Sequence, residues 1–263
     1  MTFLPYLALG AVAGIFAGLL GVGGGAIMVP ILAMLFAARG FPAEHLVHMA
    51  LGTSMAAIVF TSIASLGAHH RHGAVSWPVV RSITPGILAG TLVGARVAAR
   101  IPAKPLAVFF ACFVTYAAVQ MILDVKPKPS RELPGPLGMF AVGAGIGGIS
   151  ALVAIGGGSL SVPFMTWCNV RVQNAIGTSA AIGFPIAVSG TVGYLWGGWD
   201  AAGLPQGSLG FIYLPALAGT ATASMLAAPL GARLTHTLPV AALKWTFAAL
   251  LVVLSAKMLW GLL

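Results

Sequence analysis

The sequence predicts an all-α polytopic membrane protein made of two homologous halves, each of about five helical segments. Three observations carry that prediction. The 263 residues are 59% hydrophobic and only 6% charged, against about 25% charged residues in soluble domains, so most of the surface cannot face water. Apolar stretches approaching the roughly 20 residues that a bilayer-spanning helix needs recur about ten times. The second half also repeats motifs of the first half in the same order.

The first half holds apolar segments near residues 3–20, 26–38, 46–66, 75–99 and 105–123. Residues 124–136 follow, proline-rich and carrying Lys126, Lys128, Arg131 and Glu132. Such a run cannot sit in hydrocarbon and reads as a linker. The second half holds segments near 137–153, 160–168, 175–196, 209–232 and 241–262. The chain therefore divides into a first transmembrane repeat (1–123), a polar linker (124–136) and a second transmembrane repeat (137–263). Glycine, at 35 residues, is unusually common, which closely packed membrane helices tolerate. The first 20 residues lack a basic leading region, so no cleavable signal is expected.

Three motif blocks define the repeat. Gly14, Gly23-Gly24-Gly25 and Pro30 recur as Gly147, Gly156-Gly157-Gly158 and Pro163, at an offset of 133. Ala50-Leu51-Gly52-Thr53-Ser54 recurs as Ala175-Ile176-Gly177-Thr178-Ser179, at 125. Gly94-Ala95-Arg96, Pro102 and Met121 recur as Gly231-Ala232-Arg233, Pro239 and Met258, at 137. An ordered set of this kind marks an internal duplication.

Residues 1–38 as one straight helix would measure about 50 Å, too long for a hydrocarbon core of about 30 Å. The three glycines in the middle invite a reversal, so this segment is expected to form a Gly-broken hairpin. Three further crossings make the number per half odd, and the second copy would enter the membrane upside down, as an inverted repeat. The alternative count, one broken helix plus three, gives a parallel repeat of eight spans. On the inverted topology Arg71, Arg81, Lys126, Lys128, Arg131, Arg171, Arg233 and Lys244 fall on one side, and Arg39, Arg96, Arg100, Lys104 and Lys257 on the other. Eight against five makes the linker side cytoplasmic.

The glycine turns are the first candidate site. The helix that begins after each turn directs a partial positive charge and unpaired amides toward it, which suits an anion. Gly23, Gly24 and Gly25 with Gly156, Gly157, Gly158 and Ser159 are therefore candidate substrate-binding residues. The same glycines would also serve if they only let helices pack closely. A dinucleotide fingerprint at Gly21-Val22-Gly23 lacks its strand and its acidic partner. The second candidate group is Thr53-Ser54 and Thr178-Ser179. Their hydroxyls could bind an oxyanion, satisfy a broken helix, or bond their own helix one turn back.

The charges narrow the cargo. All four acids, Glu44, Asp124, Glu132 and Asp200, fall at segment ends or in loops. Cation and proton pathways usually place a carboxylate within the membrane, so an anion is the better match. Arg96, Arg233 and His48 are the remaining candidates for proton or anion contact, although either arginine also suits snorkelling to the interface. His48 has Gln173 as its counterpart, which speaks against a shared role. The formal charge of +9 sits mostly at segment ends, where it meets lipid headgroups rather than nucleic acid. His69-His70-Arg71-His72 reads as an interfacial anchor rather than a metal site. Cys112 and Cys168 form no disulfide or metal pattern. Trp77, Trp196, Trp199 and Trp260 sit near segment ends, as an aromatic belt would. No cofactor is expected.

The twice-used Gly-Gly-Gly-x-hydrophobic-x-Val-Pro turn, followed by Ala-hydrophobic-Gly-Thr-Ser, resembles the TauE/SafE family of sulfite exporters. The resemblance covers nearly the whole chain. It implies an integral permease of the bacterial inner membrane moving sulfite, organosulfonates or related small anions. The expected partners are a small anionic substrate and the lipid bilayer, with room for a homodimer. Two rival classes are a permease for another small solute, such as a carboxylate or amino acid, and a membrane-embedded enzyme. The enzyme would need a nucleophile and base at membrane depth, and only His48 and Cys112 stand there, without partners.

Overall fold

The computed structural model describes residues 3–20, 23–123, 131–234 and 240–262. Ten helices lie among them: α1 (Leu4–Leu20), α2 (Gly25–Ala38), α3 (Leu46–Arg71), α4 (Trp77–Ala98), α5 (Ala103–Leu123), α6 (Pro136–Val153), α7 (Gly158–Trp167), α8 (Val172–Gly197), α9 (Leu214–Leu234) and α10 (Val240–Leu262). Each coincides with one apolar segment expected from sequence. Lys126 and Lys128 of the linker, Gly21, Val22 and Pro239 lie outside the described residues.

Six helices, α3, α4, α5, α6, α8 and α9, are long and apolar enough to cross a bilayer. The protein is thus an all-α, multi-pass membrane protein. Helix α2 has 14 residues and α7 has 10, or about 21 and 15 Å at 1.5 Å per residue, well short of a core of about 30 Å. Helix α2 begins one residue before its expected segment and α7 two, each at the last glycine of its turn.

Each short helix turns back on its predecessor. Gly24 lies beside Ala13 of α1, so close that a Cβ would stand 2.8 Å from the Ala13 carbonyl oxygen. At the far end, Arg39 follows α2 and bonds the hydroxyl of Tyr6 near the start of α1, its guanidinium 4.6 Å from the ring centre. In the second half Arg131, just ahead of α6, lies 4.9 Å over the ring of Trp167 at the end of α7. The amide of Arg131 also bonds the Trp167 carbonyl. Each pair of helices therefore closes as a hairpin whose ends meet.

The halves pack by exchange. Helix α1 lies against α9, and its repeat counterpart α6 lies against α4. A Cβ on Gly10 or Gly14 of α1 would fall 2.4 or 2.5 Å from the carbonyl oxygens of Thr220 and Ser224. One on Gly143 or Gly147 of α6 would fall 2.5 or 2.6 Å from those of Ile83 and Ile87. These four contacts are the same two contacts, shifted by 133 on one helix and 137 on the other. Small residues at such crossings let backbones approach where lipid supplies no hydrophobic drive.

Helices α3 and α8 form the centre. In the most apolar stretch of each, 83% and 67% of residues are buried, against 39–44% in α4, α5, α6 and α9. The outer helices present Val108, Tyr116, Leu226 and Val253 outward, as lipid-facing surfaces do. The change in repeat offset from 125 to 137 also has a visible cause. Five residues join α3 to α4, whereas sixteen join α8 to α9. The longer connection holds a hairpin of β1 (Ser208–Leu209) and β2 (Ile212–Tyr213).

Candidate functional site

Both glycine runs are true breaks between helices. Gly24 and Gly157 cap α2 and α7 with left-handed backbones, φ +76° and +83°, a conformation that side chains penalise. Bonding then proceeds identically. The Gly24 carbonyl accepts from Ile27 and Met28, and the Gly157 carbonyl accepts from Leu160 and Ser161. The amides of the first helical residues have no partner within their own helix. Ser159 is half-buried in that first turn of α7.

The two breaks meet at the middle of the molecule. A Cβ on Gly23 would lie 2.9 Å from the Cα of Gly156, and one on Gly25 would lie 1.8 Å from the carbonyl oxygen of Ala154. Alongside this crossing is a cavity bounded by Gly23 and Gly156, by Thr61, Ser62 and Ser65 of α3, and by Gly183 of α8. Its volume is about 10 Å³, room for roughly one water. Of the six glycines, Gly23 and Gly156 thus meet and Gly25 faces the Ala154 carbonyl that ends α6, whereas Gly24 lies against Ala13 and Gly157 against Ile186.

The Gly-Thr-Ser pairs make a second matched set. The Thr53 hydroxyl accepts the amide of Tyr213, just ahead of α9, at 3.0 Å. The Thr178 hydroxyl accepts the amide of Ser76, just ahead of α4, at 2.9 Å. Gly52 and Gly177, one residue earlier, admit the carbonyls of Phe211 and Ala74, from which a Cβ would lie 2.6 and 2.5 Å. Each motif therefore docks the entrance of a helix from the other half. A hydroxyl that accepts an amide keeps its own hydrogen to donate. Ser54 and Ser179 are fully buried and make no hydrogen bond. Neither lines the cavity at the crossing.

The remaining candidates lie apart from it. His48 is buried, with Nε2 2.9 Å from the Ile101 carbonyl and its ring stacked on Phe211. The Arg96 guanidinium rests 3.8 Å over the ring of Trp196, and Arg233 is exposed in the last turn of α9. Of the acids, Glu44, Glu132 and Asp200 lie outside helices; Asp124 falls outside the described residues. Among the described residues no group of three or more His, Cys, Asp or Glu could hold a metal ion.

Thr61, Ser62 and Ser65 did not emerge from the sequence. They occupy one face of α3 by their spacing, but their counterparts Ile186, Ala187 and Gly190 carry no hydroxyl. A comparison of the two repeats selects what both share and passes over them.

The sequence pattern described as "Sulfite exporter TauE/SafE" matches residues 6–258. A probable membrane transporter protein of Haemophilus influenzae is 38% identical over 253 residues, covering 96% of each chain. A probable membrane transporter protein of Bacillus subtilis, YdhB, is 25% identical over 240 residues, covering 88% of this chain and 89% of its own. Another, of Methanocaldococcus jannaschii, is 27% identical over 200 residues, covering 74% and 73%. No solved structure matches the chain.

Proposed function

The chain belongs to the TauE/SafE family of sulfite exporters, a family of membrane transporters, and from that premise we propose a secondary transporter that carries sulfite, sulfonates or related small anions across the inner membrane. The observation that carries this reading is the meeting of two helix breaks at Gly23 and Gly156. Irregular backbone at membrane depth is tolerated only where protein buries it or where it lines a cavity. Two helix N-termini converging there supply amides and partial positive charge without a single cation. The acids among the described residues lie outside the helices, which fits an anion better than a cation.

Alternating access is the mechanism this arrangement serves. The crossing as it stands has room for about one water, too little for an oxyanion, and in this proposal it is the state between two open ones. Movement of one half against the other would part Gly23 from Gly156 and open the crossing to each side in turn. The reciprocal bonds from Thr53 and Thr178 would hold the moving halves in register. The two halves stand inverted in this proposal: each hairpin ends where it began, and α3–α5 and α8–α10 add three crossings apiece. Efflux of labelled sulfite from proteoliposomes holding the purified chain tests the reading. Efflux above that of empty liposomes, suppressed by excess unlabelled sulfite or sulfonate, is expected; indifference to every oxyanion supplied would overturn it.

A further inference from the structure

The cavity at the glycine crossing is polar on one side only. Helix α3 contributes Thr61, Ser62 and Ser65 to it. The repeat counterparts on α8 are Ile186, Ala187 and Gly190. Gly190 instead receives the side chain of Met55, whose sulfur would lie 3.0 Å from a Cβ placed there. Helix α3 thus offers the cavity three hydroxyls, whereas α8 lines it with Ala180 and Gly183, and the repeat counterparts of the three hydroxyls are not part of its lining.

Two of the hydroxyls are engaged. Thr61 reaches the Ala57 carbonyl at 3.1 Å and the Ser224 hydroxyl at 2.7 Å, and Ser62 donates to the Val59 carbonyl at 2.9 Å. Ser65 differs. It is 4% exposed, lines the cavity and makes no hydrogen bond. Burying a hydroxyl without a partner is unfavourable, and the cavity beside it is where a partner can sit. One turn further along the same face stands His69, and α3 ends two residues later in Arg71, a cation that would draw an anion toward that end of the helix.

We propose that Ser65 is a solute-binding residue whose hydroxyl donates a hydrogen bond to an oxygen of a small oxyanion, and that solute reaches the crossing along the hydroxyl face of α3 rather than along Ile186 and Ala187. This rests on the transport reading above. The anion occupies the cavity once Gly23 and Gly156 separate, because the closed volume is too small for it.

The full chain in proteoliposomes, with Cys112→Ser and Cys168→Ser as background, tests the proposal. A Ser65→Cys variant should react with a membrane-impermeant maleimide roughly tenfold or more faster than an Ala187→Cys variant, and methanesulfonate should slow it several-fold. Equal rates at the two positions overturn the one-sided path. A Ser65→Cys rate indifferent to methanesulfonate overturns the contact with solute. If Ser65→Cys does not fold, Ser65→Ala supplies the answer: KM for sulfite should rise roughly tenfold with kcat held, and Ser65→Thr should restore it. An unchanged KM in Ser65→Ala, with wild-type transport intact, overturns this proposal alone. Absence of flux in the wild type strikes the transport reading instead, and the methanesulfonate arm still decides the site.

Discussion

The hydroxyl of Thr53 accepts the amide of Tyr213 across the boundary between the two halves, at 3.0 Å. Its repeat counterpart, Thr178, accepts the amide of Ser76 at 2.9 Å. The receiving amides are themselves 137 residues apart, the same offset that relates Gly94 to Gly231. A duplicated motif has thus been kept to tie each half to the other.

Thr53→Val and Thr178→Val should each lower stability by about 1 kcal/mol, the range seen for buried membrane hydrogen bonds. Thr→Ser at either position should restore most of it. Melting midpoints of the purified variants in detergent, followed by tryptophan fluorescence, measure the difference. Equal loss from both single variants is expected, because each removes one of two equivalent bonds.

Gly25→Ala should abolish transport and reduce folded protein, because the added Cβ would press to 1.8 Å of the Ala154 carbonyl oxygen. Gly67→Ala, inside α3 with nothing within 4 Å, should be neutral or stabilising by up to about 1 kcal/mol, since alanine is the better helix former. Folded yield and sulfite flux, measured side by side, separate the two outcomes.

Gly90→Leu should disrupt the crossing of α4 with α6, where a Cβ would already lie 2.0 Å from the Ala144 carbonyl oxygen. Gly231→Leu should do the same where α9 meets Ile15 of α1, also at 2.0 Å. Losses of several kcal/mol are the expected scale for overpacking that backbone cannot relieve. Size-exclusion profiles after extraction should show both variants aggregated and Gly145→Leu, with open space around it, monodisperse.

Arg96→Gln should lower stability by about 1 kcal/mol through loss of its stacking on Trp196, while leaving KM for sulfite within about twofold. Arg233→Gln, exposed at the end of α9, should change neither quantity. A tenfold rise in KM at Arg96 would instead mark it as a solute contact.

The helices were legible because apolar length and polar punctuation are local properties: ten segments read from sequence coincide with ten helices. The glycine breaks were legible for the same reason. The exchange of partners between halves was not, because nothing in α1 states that it lies against α9 rather than α4. Thr53 and Thr178 stood out as a repeated pair, yet their partners, Tyr213 and Ser76, share no sequence motif; an amide donates whatever its side chain. Ser65 was not legible in this way. It stands where the repeats differ, with Gly190 as its counterpart, and duplication reveals only likeness.

Amide shifts of Gly24, Gly25, Gly157 and Gly158, followed by solid-state magnetic resonance on the protein in lipid bilayers while sulfite is titrated, test the glycine crossing most directly. Saturable shifts at glycines of both turns, reversed by a competing sulfonate and absent with sodium chloride, are expected. Active transport of sulfite with all four amides unmoved at saturation would contradict binding at the crossing.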